Sequence, residues 1–169
     1  MRVVCDTGPV LHLIEASLLE LLPKAGEIHI PSIVDSELTE LLRQSWKKQK
    51  PQWINIDPLT PEENENVESL TQSGLLDPGE AGAILLAKRL KADWLLTDDT
   101  AARLFAGSTG LEVHGTLGVV LWAAAVGHLD FEASVQALER LSKTTLWISQ
   151  NIMTEARRAL DKMFNKERP

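Results

Sequence analysis

The sequence predicts an α/β fold in which a parallel, doubly wound sheet is followed by a helical C-terminal segment. Three observations carry this expectation. Up to His114, short apolar runs alternate with stretches of helical periodicity. The run Asp93–Thr97 (DWLLT) lacks polar alternation, as befits a strand covered on both faces. After Gly115 no strand-like run recurs, and helical stretches fill the rest.

Arg2 to Asp6 reads as the first strand. Over Pro9 to Leu22, the residues Leu11, Ile14, Leu18, Leu21 and Leu22 recur at helical spacing. Glu27 to Ile30 reads as the second strand, and Pro31 then opens a helix. Ile33, Val34, Leu38, Leu41 and Leu42 make that helix amphipathic. It is expected to run into the polar stretch around Trp46 and to stop before Pro51. Trp53 to Ile56 alternates and reads as the third strand. Thr60-Pro61-Glu62-Glu63 joins a cap, a proline and an acidic first turn, and Asp77-Pro78-Gly79-Glu80 is a second such helix opening. Asp93–Thr97 is the fourth strand, a short helix to Phe105 follows Asp98 and Asp99, and Leu111 to His114 is the last strand. The stretch from Thr116 to Leu129, then Phe131 to Leu141, then Ser149 to Phe164 read as helices.

A length of 169 residues fits one domain, 1–169, with 130–169 as a helical C-terminal extension. Hydrophobic residues make up 44%, enough for a core without disulfides or a structural metal. The single cysteine, Cys5, excludes an internal disulfide and reads as a small buried strand residue. The longest apolar stretch, Val119 to Val126, is too short to span a bilayer, and no secretory signal is evident, so a cytoplasmic protein is expected. The net charge of −7 argues against binding nucleic acid through a broad basic surface. It argues less against a nuclease, whose acidic site holds cations that reverse the local sign where a phosphate docks.

In an open parallel sheet, ligands bind beyond the carboxyl ends of the strands. Asp6 ends the first strand, and Asp98 and Asp99 end the fourth. Carboxylates gathered at one sheet edge repel and lose hydration, an arrangement that a cation neutralises. Oxygen ligands without a cysteine or histidine cluster select Mg²⁺ or Mn²⁺ over zinc. Glu37, in the helix after the second strand, and Glu80, in the first turn behind Pro78, stand where they could join. Each acid also has a plainer reading: Asp98 or Asp99 as a helix cap, Glu80 as a first-turn acid favoured by the helix dipole, Glu37 as a solvated helix residue.

Taken together, the stretches VVCDTGPVLHLIEASLLELLPK, IHIPSIVDSEL and LLDPGEAGAILLAKRLKADWLLTDDTAARLFAGSTGLEVHGTLGVVLWAAAVGHL resemble the PIN-domain family, especially its VapC-like toxin branch. The resemblance covers most of residues 1 to about 130. It implies a three-layer sandwich with a short parallel sheet of about five strands between helices. It implies that Asp6, Glu37, Glu80 and Asp99 are the catalytic acids. Asp6, Glu80 and Asp99 would then be metal ligands, joined by Asp98 from the variable middle position of the T-x-D motif. Thr7 and Thr97 match hydroxyls that support the carboxylates and bound water. The activity implied is Mg²⁺- or Mn²⁺-dependent hydrolysis of phosphodiester bonds in single-stranded RNA. A toxin role, with a small antitoxin protein as partner, is a further implication.

Two other function classes fit the sequence less well. A phosphohydrolase of the haloacid-dehalogenase type needs a second aspartate two residues after the first, and Gly8 stands there. A catalytically silent PIN-like binding module conflicts with the retained acids. Arg103 could reach the site or a substrate phosphate, or pair with Asp99 one helical turn back. The four histidines have no metal-ligand spacing and read as structural or surface residues. Trp94, Trp122 and Trp147 read as core or interface, whereas Trp46 and Trp53, beside Lys47, Lys48 and Lys50, are the better candidates for RNA contact. The apolar helix Leu117–Val126, with almost no polar face, predicts a homodimer unless the C-terminal helices cover it.

Overall fold

The computed structural model describes residues 1–165. Its strands are β1 (Arg2–Cys5), β2 (Glu27–Pro31), β3 (Ile54–Asp57), β4 (Trp94–Leu96) and β5 (Val113–His114). All pair in parallel, in the order β3-β2-β1-β4-β5. Ten α-helices flank them: α1 (Thr7–Glu15), α2 (Leu22–Ala25), α3 (Ser32–Leu42), α4 (Gln44–Gln49), α5 (Pro61–Gln72), α6 (Pro78–Leu90), α7 (Thr100–Ser108), α8 (Thr116–Ala125), α9 (Phe131–Leu141) and α10 (Gln150–Asn165). Residues 166–169 of the expected extension lie outside the described residues.

Strand alternation splits the interior into two cores. Val3, Cys5, Ile28, Ile30 and Leu96 point into one, which α1, α3, α8, α9 and α10 complete. Val4 and Leu95 point into the other, under α5, α6 and α7. The central strands are thus buried on both faces, which is why β1 and β4 read as unbroken apolar runs, while β3 at the edge alternates. Cys5 is fully buried, and that burial pushes its thiol pKa up.

Two helices end earlier than periodicity predicts. α1 starts at Thr7, not Pro9, and stops at Glu15 instead of continuing to Leu22. Ser17 takes a left-handed φ of 55°, and the Leu18 N–H donates back to the Leu13 carbonyl at 2.8 Å, which closes the helix end. The chain then re-enters as a 3-10 turn, Leu19–Leu21, and Pro23 falls in the first turn of α2, where it costs no hydrogen bond. The leucines kept their helical spacing because both pieces present them to the same core. α3 likewise breaks at Arg43, at φ 51°, and α4 folds back. Trp46 is thereby buried to 3% exposure, with its indole N–H on Asp35 at 2.8 Å.

The apolar α8 is covered within the chain. Val119, Val120, Ala123 and Ala124 share a core with Ala137, Leu138 and Leu141 of α9 and with Ala156 and Leu160 of α10. The C-terminal helices therefore supply the burial for which a second subunit was the alternative. No helix among the described residues is long and apolar enough to cross a membrane.

Candidate active site

The strand order reverses direction between β1 and β4, so the crevice for a ligand lies beyond their carboxyl ends. Cys5 is in register with Leu96, and the Asp6 N–H donates to the Leu96 carbonyl at 2.9 Å. Asp6 and Thr97 are therefore neighbours where the two strands end. The Thr97 hydroxyl donates to Asp6 Oδ2 at 3.0 Å, and the Thr7 N–H donates to Oδ1 at 2.6 Å. Asp6 thus caps α1 while facing the crevice.

Helix packing brings in the glutamates. α3 and α6 approach closely because Gly82 has no side chain: a Cβ there would stand 2.9 Å from Ile33. One turn earlier, a Cβ at Gly79 would stand 2.9 Å from the carboxyl carbon of Glu37. The Glu37 carboxylate therefore rests on the N-terminus of α6, against the Gly79 N–H, and accepts from the Thr7 hydroxyl. Glu80 sits in a reciprocal capping box. Its Oε2 accepts from the Asp77 N–H at 2.9 Å, and Asp77 Oδ1 accepts from the Glu80 N–H at 3.0 Å. Asp99 caps α7 through the Ala102 N–H at 2.8 Å.

Asp6, Glu37, Glu80, Asp98 and Asp99 all line one cleft of about 540 Å³, together with Thr7, Gly8, His12, Glu40, Leu41 and Asp77. No lysine or arginine lines it. Its electrostatics follow. Burial, reinforced by the charges of Asp77 and Glu80, pushes Asp6 up to about 7 against the pull of its hydrogen bonds. Burial, reinforced by Asp77, Asp99 and Glu37, lifts Glu80 to about 7 as well. Glu37 is raised by burial and by Asp77, despite its Thr7 and Gly79 hydrogen bonds.

Asp98 behaves differently. Burial would raise its pKa, but hydrogen bonds from His12 and Thr116 outweigh that and hold it low. Its Oδ1 accepts from the Thr116 N–H at 2.7 Å; its Oδ2 accepts from the Thr116 hydroxyl at 2.5 Å and meets His12 Nδ1 at 2.7 Å. Asp98 thereby ties β4 to α8 and orients His12. Arg103 makes no ion pair among the described residues, with Asp99 or any other acid. A Cβ at Gly115 would stand 3.2 Å from its guanidinium, so the side chain lies over Gly115, beside the cleft.

The cleft's chemistry suits a hard divalent cation: its donors are carboxylate and hydroxyl oxygens apart from His12, which is engaged by Asp98, and burial together with neighbouring acids leaves Asp6, Glu37 and Glu80 with raised pKa values. Among the described residues, no three His, Cys, Asp or Glu groups form a ready-made ligand cage. Hydrogen bonds to helix N-termini account for this, since Asp6, Glu80 and Asp99 each hold one oxygen on a backbone N–H.

Gly8, His12, Glu40, Leu41 and Asp77 line the cleft without having been named as site residues from the sequence, and two of them had a readable signal. Asp77 was visible only as a cap; its signal was a carboxylate where Thr60 stands in the otherwise equivalent opening of α5. His12 lies one helical turn after Gly8 on α1, so the face carrying Gly8 carries it too. Of the tryptophan expectations, the one for Trp46 is overturned, whereas those for Trp94 and Trp122 hold. Trp46 is core, Trp53 is partly buried against it, and neither lines the cleft. Lys50 is paired with Asp35 at 2.9 Å. Trp94 and Trp122 are partly buried and meet edge to face at 5.6 Å, while Trp147 is 83% exposed.

A sheet covered on both faces, with acids converging on its switch point, defines a carboxylate-centred α/β protein. Residues 2–162 match the family model described as PIN domain, and the chain belongs to the PIN-domain family. That family is one of nucleases acting on RNA, and the match extends through the C-terminal helices. No curated protein matches the chain.

Proposed function

We propose that this protein is a metal-dependent endoribonuclease that hydrolyses phosphodiester bonds of single-stranded RNA. The observation that carries the reading is the gathering of Asp6, Glu37, Glu80 and Asp99 in one cleft, where burial and neighbouring carboxylates raise the pKa of Asp6, Glu37 and Glu80. Asp6, Glu80 and Asp99 would hold Mg²⁺ or Mn²⁺. Glu37, steadied by Thr7 and the α6 N-terminus, would orient and deprotonate the attacking water. The ion, when bound, would neutralise the carboxylates and offset charge developing on the phosphate. Thr7 and Thr97 hold the rotamers of Glu37 and Asp6. Asp98 is left out of the ligand set, because both its oxygens serve Thr116 and His12.

The test is cleavage of a panel of structured and unstructured RNAs with Mg²⁺, with Mn²⁺ and in chelator, using Asp99→Asn as the control. Asparagine caps a helix as well as aspartate does, so this variant keeps α7 and loses only charge. Cleavage that needs the metal and vanishes in Asp99→Asn supports the reading. RNA binding without cleavage under all conditions would leave a binding module instead. The resemblance extends the proposal to a cytoplasmic, homodimeric toxin held by a small antitoxin protein. Growth arrest on expression, relieved by a product of a neighbouring short reading frame, tests that part.

A further inference from the structure

Beside the acid cleft lies a second groove of about 720 Å³. The two share His12, Asp98 and Asp99 as a common wall. The groove is otherwise built from Arg103 of α7, Leu117, Gly118 and Leu121 of α8, and the segment before and into α10 that carries Trp147 and Ile152. Trp147 exposes 83% of its surface, the most of any large hydrophobic residue in the described chain. An exposed indole offers a flat face on which a nucleic-acid base can stack.

The segment that presents it is anchored on both sides. The Thr145 N–H and hydroxyl both donate to Glu15 of α1, at 2.9 and 2.8 Å. Ile148 packs against the main core, and the Ser149 hydroxyl accepts from the Ile152 N–H at 3.3 Å. Trp147 is therefore held out from fixed neighbours and does not dangle from a loose loop. Among the described residues, Arg103 is the only basic side chain other than histidine that lines either cavity.

Resting on the nuclease reading above, we propose that this groove is a nucleotide subsite. The base of a residue flanking the scissile phosphate stacks on Trp147, and Arg103 takes the adjoining phosphate. Continuity with the acid cleft favours this occupant, because a strand crossing the carboxylates has the shared wall as its exit. The mixed lining favours it too: a flat indole, a free guanidinium and threonine hydroxyls match a base, a phosphate and a ribose.

The test separates this subsite from hydrolysis. In the Asp99→Asn background, anisotropy with fluorescein-labelled 12-nucleotide oligoadenylate and oligouridylate reads binding in Mg²⁺. Trp147→Ala should weaken binding about tenfold, and Trp147→Phe should restore most of it. Arg103→Ala should weaken binding and lower the slope of log affinity against log salt by about one. With active protein, Trp147→Ala should raise KM and leave kcat nearly unchanged. Unaltered binding in Trp147→Ala overturns the subsite, as does absence of binding by the parent. A dimer that Trp147→Ala splits, with RNA affinity intact, assigns the surface to a second copy and overturns it too. If wild type cleaves no RNA while Trp147→Ala still loses binding, the subsite stands and the hydrolytic reading falls.

Discussion

Gly79 shows how much of the site depends on a missing atom. At the second position of α6, alanine should favour the helix by about 1 kcal/mol on propensity alone. The Glu37 carboxylate occupies the space a methyl would need. Gly79→Ala should therefore lose activity by roughly tenfold or more without gaining stability, the size expected when a support of a metal site is disturbed. A stabilised, fully active Gly79→Ala would show that Glu37 has no fixed seat. The carboxyls themselves set a pH dependence. Asp6 and Glu80 have folded pKa values of about 7, above the roughly 4 of an unfolded chain. Between those values the folded state binds more protons, so these groups' contribution is complete near pH 4 and is lost as pH rises through 7. In chelator, the melting midpoint should rise as pH falls from 8 to about 5.5. Asp6→Asn should flatten that profile and melt at or above wild type at pH 8. A clear drop for Asp6→Asn would show that capping of α1 outweighs the relief of repulsion.

Among the elements, α8 has changed role from the one its composition suggests. A helix with almost no polar face needs cover, and α9 and α10 supply it for Val119, Val120, Ala123 and Ala124, while Leu117 and Leu121 stay partly open toward the second groove. Trp122 stands 5.6 Å from the Trp94 ring and 5.4 Å from that of His128, partly buried against the core. Trp122→Glu should consequently destabilise the protomer by about 2–4 kcal/mol in urea melts. An unchanged midpoint for Trp122→Glu would mean that this side of α8 is an interface waiting for a partner.

For the molecule as a whole, cation binding and stability are one equilibrium. An ion that binds only the folded state at ten times its Kd adds about 1.4 kcal/mol. For a chain of 169 residues that is about 3–6 °C. Mg²⁺ should raise the midpoint of wild type by this order and that of Asp99→Asn by much less, measured at constant ionic strength. Equal shifts would locate the cation elsewhere. Light scattering at micromolar concentration decides the oligomeric state: a mass near 18.7 kDa without concentration dependence excludes the homodimer.

What the sequence determined by itself is what local physics reads. Alternating apolar runs and capped helices established five strands and the order of helices, because burial on both faces and satisfaction of helix N-termini are written in near neighbours. The strand-end acids Asp6, Asp98 and Asp99 were legible for the same reason. Only the tertiary structure decided the rest. Two left-handed residues, Ser17 and Arg43, broke helices whose periodicity ran on, because a leucine pattern does not record a change of axis. Asp98 and Asp99 are adjacent yet divided in role: Asp98 turns to Thr116, 18 residues away, and Asp99 caps its own helix. Trp46 and Trp147 exchanged their expected places, since burial depends on which surface folds back and not on the composition of flanking residues. Seating Glu37 against Gly79 required two helices, distant in the chain, to close to backbone contact, and no spacing within either one encodes that distance.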